Sequence, residues 1–185
     1  MGQPIIQPSR VRRTFNGWCH GLFAGQQFQH VLNLGCGHDD DHQGYKYSGY
    51  FDARKVTRMD KNEKTEYAEY ERCMYGDIEF YNPVDKIGDA ENITQLGKGF
   101  LIQFDMVFCN WMIYQIDYRK VIDEIYKVLI PGGKLLVTYM DEKQFGSIYV
   151  AIREKFDIIS YCYLKMDEKL DGRDWVAEGI WGTKK

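Results

Sequence analysis

The residues whose types and spacing could do chemistry begin with Val31-Leu32-Asn33-Leu34-Gly35-Cys36-Gly37, a short apolar run ending in two glycines. Glycines at such a point let the backbone bend tightly and approach a ligand with no Cβ in the way. Asp60 ends the next apolar run, 25 residues after Gly35, and Lys61 follows it. A carboxylate there can accept both hydroxyls of a ribose. Gly76-Asp77-Ile78 offers a third run end, where an acid can accept a hydrogen bond from an exocyclic amine and Ile78 can pack on a flat ring. Asn110-Trp111 closes a fourth.

His38-Asp39-Asp40-Asp41-His42 supplies two imidazoles and three carboxylates of metal-ligand type. Consecutive side chains on one loop cannot all converge on one ion, so the segment reads as a solvated acidic loop and no metal is assigned. His20, His38, His42 and Tyr114 are the candidate proton acceptors. For a dinucleotide the glycine fingerprint would run Gly35-x-Gly37-x-x-Asp40, which puts a carboxylate where pyrophosphate must approach. A P-loop would need Gly-Lys-Ser/Thr after its glycines, and the chain has none.

These positions need elements to hold them. Arg10 to Ala24 carries Val11, Phe15, Trp18 and Leu22 at helical spacing. His30–Leu34, Lys55–Met59, a run leading into Gly76-Asp77, Phe104–Cys109 and Leu135–Tyr139 read as buried strands. Tyr81–Lys98 reads as loop with at most a short helix, because Pro83, Gly88 and Gly97 interrupt it. Val121, Ile125, Val128 and Leu129 mark a helix with Asp117 as its N-cap, stopped by Pro131-Gly132-Gly133. Phe145, Ile148, Tyr149, Ile152 and Phe156 mark another. Ile159–Tyr163 and Trp175–Trp181 alternate with period two, joined by a charged turn over Lys165–Arg173. Strands alternating with helices predict a Rossmann-like α/β sandwich with a mostly parallel sheet, the last two strands pairing antiparallel.

With Phe104–Asn110 and Val128-Leu129-Ile130-Pro131-Gly132-Gly133-Lys134-Leu135-Leu136-Val137 added, the chain resembles a class I S-adenosylmethionine-dependent methyltransferase of the type 11 branch. The resemblance implies a seven-stranded sheet in the order 3-2-1-4-5-7-6 with strand seven antiparallel. It implies a cofactor site of Gly35, Cys36 and Gly37 at the methionine end, Asp60 and Lys61 at the ribose, Asp77 and Ile78 at the adenine, and Asn110 and Trp111 beside the methionine. The product would be S-adenosylhomocysteine. The chain departs from the family pattern at Asn33, where an acid is usual, and at His38-Asp39, where a third glycine is missing. Tyr114-Gln115 stands where a Glu-His pair often follows the fourth strand, so a histidine base does not carry over.

The chain has 185 residues, 44% hydrophobic and 28% charged, with a mean hydropathy of -0.48, enough for one core. The expected division is an N-terminal helical extension over 1–27 and a cofactor-binding core over 28–182. A net charge of -3 and the absence of Asn-Pro-Pro-Tyr or Pro-Cys signatures disfavour nucleic acid. A small-molecule or glycan acceptor, methylated at O or N, is expected instead. Five scattered cysteines without a Cys-x-x-Cys pair, no leader pattern and no apolar run long enough for a span point to a cytoplasmic protein with reduced thiols. The rival expectation is a noncatalytic cofactor-binding or partner-binding protein that keeps the fold.

Overall fold

The computed structural model describes residues 10–36, 52–61, 85–97, 103–110, 112–138, 142–170 and 173–185. Seven strands form one sheet: β1 (Gln27–Leu34), β2 (Asp52–Asp60), β3 (Lys86–Ile87), β4 (Phe104–Asn110), β5 (Leu129–Thr138), β6 (Phe156–Leu170) and β7 (Arg173–Lys184). Their order is β3-β2-β1-β4-β5-β7-β6. β1 runs parallel to β2 and β4, β2 to β3, and β4 to β5, while β7 is antiparallel to both β5 and β6. This is the expected topology.

Among the described residues three α-helices cover the sheet: α1 (Arg10–Phe23), α2 (Tyr118–Val128) and α3 (Glu142–Lys155). Central strands buried on both faces read as unbroken apolar runs, and Val31, Leu32, Leu34, Met106, Val107, Phe108 and Cys109 are all buried. One face takes Leu32, Leu34, Val107, Cys109, Leu135 and Val137 against α2, α3 and the 3-10 segment Ala90–Leu96. The other takes Val31, Met106, Phe108, Leu136 and Trp181 against α1, which contributes Cys19 and Phe23. Phe23 sits edge-on to Phe28 and Trp181, with ring centroids 6.3 and 5.7 Å away.

α2 forms because Val121, Ile122, Ile125 and Val128 make a buried stripe at helical spacing. The Asp117 carboxylate caps it, accepting from the Arg119 and Lys120 amides at 3.2 and 3.3 Å, as expected. Its other end is held by Lys184, whose Nζ donates to the carbonyls of Tyr126 (2.6 Å) and Leu129 (2.7 Å).

Four expectations need correction. The segment Tyr81–Lys98, read as loop, holds the strand Lys86–Ile87; the strand expected to lead into Gly76-Asp77 lies outside the described residues. Two residues are too few to show an alternating pattern. α2 ends at Val128 and Pro131-Gly132-Gly133 lies within β5, because a residue before proline disfavours helix and Leu129 is already extended. The extra residues are absorbed where β4–β5 pairing jumps from Phe104↔Leu129 to Met106↔Lys134, and Gly132 turns with φ +75°. Phe156 opens β6 instead of closing the preceding helix, and β6 and β7 extend well into the segment read as a turn.

Candidate cofactor and acceptor site

The register brings the strand ends to one rim. Leu34 is level with Met59 and with Cys109, Cys109 with Val137, Asn110 with Thr138, and Thr138 with Gly179. Gly35, Asp60 and Asn110 therefore share the carboxyl edge of the parallel strands, where ligands bind in open α/β sheets. The β1–β4 border is also where strand order reverses.

Gly35 has φ +67°, a region that side chains other than glycine adopt at a cost. A Cβ there would overlap the Met112 side chain, with Met112 Cγ 2.6 Å and Cβ 2.9 Å away. The turn is fastened to β2 by two bonds, since the amides of Gly35 (2.8 Å) and Cys36 (3.1 Å) both donate to the Met59 carbonyl. Cys36 is thereby placed next to the end of β2, where Asp60 is 5% exposed. The Asp60 carbonyl accepts from the Gly88 amide at 2.9 Å, which sets the turn after β3 beside Asp60. The next residue, Asp89, caps the 3-10 segment by accepting from the Glu91 amide (2.9 Å) and from Asn92 Nδ2 (3.0 Å).

The structure thus brings together Gly35, Cys36, Asp60, the exposed Lys61 and the backbone of Asn110. Gly37, His38, His42, Asp77, Ile78 and Trp111 lie outside the described residues. Tyr114 follows the rim in the 3-10 turn Ile113–Gln115. His20 is a correction: it lines a cavity of about 370 Å³ with Phe23, Gln26, Gln27 and Asp52. Gln27 and Asp52 begin β1 and β2, so this histidine sits at the opposite end of the strands. A strand of that length spans roughly 25 Å, which removes His20 from the rim.

Residues the sequence reading passed over also reach the rim. Thr138 is 1% exposed at the end of β5, and Glu178, immediately before its partner Gly179, is fully buried. Met112 is the lid of the glycine turn. The sequence holds two Gly-Asp pairs in this region, and the one at Gly88-Asp89 was marked by Glu91 and Asn92, a cap-like polar sequence just before the apolar Ile93. Among the described residues no group of three or more His, Cys, Asp or Glu could hold a metal ion. Burial pushes the Cys109 thiol up to about 12, so beneath the rim it is a neutral core side chain.

S-adenosylmethionine fits these residues. It carries no phosphate, so the rim needs no cluster of basic side chains. A glycine turn without Cβ and a buried carboxylate at the next strand end suit its amino-acid and ribose portions.

The comparisons follow the same line. No curated protein matches the chain in sequence. Among solved structures, the N-methyltransferase NodS of Bradyrhizobium japonicum, in complex with S-adenosylhomocysteine, aligns with a TM-score of 0.65 at 13% identity, over 97% of this chain and 90% of that one. The YcgJ protein of Bacillus subtilis aligns with a TM-score of 0.58 at 14% identity, over 94% and 99%. A structure described for the conversion of a disulfide bond into a thioacetal group during echinomycin biosynthesis aligns with a TM-score of 0.61 at 17% identity, over 98% and 84%. These likenesses show the fold. A family model described as a methyltransferase domain matches residues 32–137, from within β1 to the end of β5, and the chain belongs to that family, the S-adenosylmethionine-dependent methyltransferases.

Proposed function

We propose that this enzyme transfers a methyl group to a small-molecule or glycan acceptor at oxygen or nitrogen, with the reaction taking place at the rim formed by Gly35, Asp60, Asp89 and Asn110. The observation that carries the reading is the fastening of the Gly35–Cys36 turn to Met59, which sets a side-chain-free stretch of backbone against the buried Asp60. In this assignment Gly35 and Cys36 back the methionine end of the cofactor and Asp60 holds the ribose, with Lys61 at its margin. Asn110 lies beside the methionine portion. Asp89 is assigned to the adenine as well, because the amide of the preceding Gly88 donates to the Asp60 carbonyl; Asp77 and Ile78, the adenine residues that the resemblance implies, lie outside the described residues.

The cofactor supplies an electrophilic methyl on a leaving group that needs no protonation. The chain's own task is to align the acceptor and exclude water, and a dedicated base is optional. Tyr114 and His38 stay as proton-acceptor candidates by chain position, since each follows a strand of the rim in sequence. The described residues form one sheet with its helices, and acceptor choice falls to the segments around it. The net charge of -3 supports an acceptor other than nucleic acid. Among the structural neighbours, the one placed in echinomycin biosynthesis supports a small acceptor, and the N-methyltransferase supports nitrogen as one acceptor atom.

Calorimetric titration with S-adenosylmethionine and S-adenosylhomocysteine tests the site, followed by turnover against a panel of amines, hydroxyls and saccharides. The expected result is binding of both ligands, weakened in Asp60→Ala and Asp89→Ala, and turnover on the low-molecular-weight members. Unchanged affinity in both variants would remove the assigned rim; turnover on nucleic acid alone would remove the acceptor class.

A further inference from the structure

We infer that Cys19 of α1 and Cys162 of β6 are a redox pair, two thiols that a low-molecular-weight disulfide converts into a reversible intramolecular bond clamping α1 to the sheet. Neither thiol has a part in the methyl-transfer reading. Cys162 lies where the pairing of β6 with β7 is unbroken, with Ser160 opposite Trp181, Tyr161 opposite Ile180 and Cys162 opposite Gly179. Opposed residues in a sheet share a face. Trp181 belongs to the core beneath α1, so Ser160 and Cys162 look toward that helix as well.

Three observations bring the helix and the strand together at these residues. Cys19 is buried with Phe23 and Trp181, and Cys162 packs against the same cluster from the edge of the sheet. The indole Nε1 of Trp18, the residue before Cys19, donates to the Ser160 hydroxyl at 3.1 Å and so pins α1 two residues from Cys162 on the same face. Ser160, Cys162 and Gly179 have small side chains or none, and Cα atoms of α1 and β6 come within 8 Å of each other. A disulfide spans about 6 Å between Cα atoms, so closing the bond asks for a small adjustment.

Both are unlinked thiols. Burial pushes each above the ordinary thiol value, and the charge of a Cys162 thiolate pushes Cys19 up further, which places the two sulfurs within reach of each other's charge. Cys162 is the less buried and reacts first. Its Sγ, once deprotonated, attacks one sulfur of the small disulfide; that S–S bond breaks and one small thiolate leaves. Cys19 then loses its proton, and its Sγ attacks the Cys162 sulfur and expels the second small thiolate. The protein dithiol is oxidised by two electrons, the small disulfide is reduced to two thiols, and the two protons pass from the protein thiols to the two leaving thiolates.

Equilibrating the folded chain in mixtures of reduced and oxidised glutathione, followed by alkylation, mass spectrometry and peptide mapping, tests the pair. The expected product is two hydrogen masses lighter than the reduced chain, joins the Cys19 peptide to the Cys162 peptide, and returns to the dithiol with excess dithiothreitol. Oxidation is expected to raise the melting temperature by about 10 °C, because the bond constrains the unfolded chain over a long loop, and to slow amide hydrogen exchange in α1. Cys162→Ser, at a half-buried position where circular dichroism checks the fold, is expected to lose both effects. Cys19→Ala is expected to stop the exchange at its first step, with glutathione left on Cys162. A folded chain that makes no Cys19–Cys162 bond at any glutathione ratio, a bond that appears only after unfolding in urea, or a Cys162 found paired with Cys36, Cys73 or Cys109 would each overturn the proposal.

Discussion

Replacing Gly35 by alanine should act through two costs that the structure separates. The first is the backbone: φ is +67°, and a side chain in the left-handed region costs about 1–2 kcal/mol. The second is overlap with Met112, whose Cγ stands 2.6 Å from the new Cβ; overpacking of this kind costs about 1–3 kcal/mol. Together they give about 3 kcal/mol, which for a domain of this size lowers the melting temperature by about 10 °C. Met112→Ala removes Cγ and Sδ but keeps its own Cβ, 2.9 Å from the position in question, so it relieves only part of the overlap. The double variant Gly35→Ala/Met112→Ala should therefore be more stable than the sum of the single effects by about 1 kcal/mol. Because the turn is bonded to Met59, the single alanine variant should also bind S-adenosylhomocysteine more weakly while the double variant recovers part of the affinity. Urea unfolding of the four proteins, with calorimetry on each, measures both quantities. A Gly35→Ala protein within about 0.5 kcal/mol of the native one, or single effects that simply add, would refute the reasoning about Met112.

Asp60→Ala should weaken cofactor binding by about 1–3 kcal/mol through loss of charge-assisted hydrogen bonds, read by calorimetry, and Lys61→Ala, one residue further and exposed, should change it much less. Lys184→Met should lower stability by about 1–3 kcal/mol, because its Nζ serves the Tyr126 and Leu129 carbonyls and lies 4.3 Å from the Tyr126 ring centroid; denaturant unfolding checks this. Glu124 supplies a pH dependence. Burial pushes its carboxyl up, but hydrogen bonds from Lys127 and from the Thr94 amide and hydroxyl, with the Lys127 charge, outweigh burial and hold it below the ordinary value. A lowered folded value means that its contribution is complete above the unfolded carboxylate range and is lost as pH falls through the folded value. Melting curves on acidification should therefore fall more steeply for the native protein than for Glu124→Gln, and parallel curves would dismiss the role.

The loss of His20 from the site shows how the two sources of information divide. Its distance from the rim follows from α1 ending beside the first residues of β1 and β2, a fact of tertiary packing that helical periodicity does not contain. Gly35, Cys36, Asp60 and Asn110 were legible because each closes an apolar run, and in a parallel sheet run ends gather on one edge. Asp89, proposed above for the adenine, was passed over for the converse reason. β3 is so short that its pairing with Met59 and Asp60, and not its own residues, makes it a strand.

The sequence by itself determined the strand and helix alternation, the parallel centre of the sheet and the glycine turn, because buried apolar runs, caps and chain-reversing glycines are local signals. Tertiary structure decided that Gly88 is bonded to the Asp60 carbonyl, that Met112 covers Gly35, and that Thr138 and Glu178 lie buried at the rim. Those outcomes depend on register between segments far apart in the chain, which is set by long-range hydrogen bonding and core packing and carries no mark in the local order of residues.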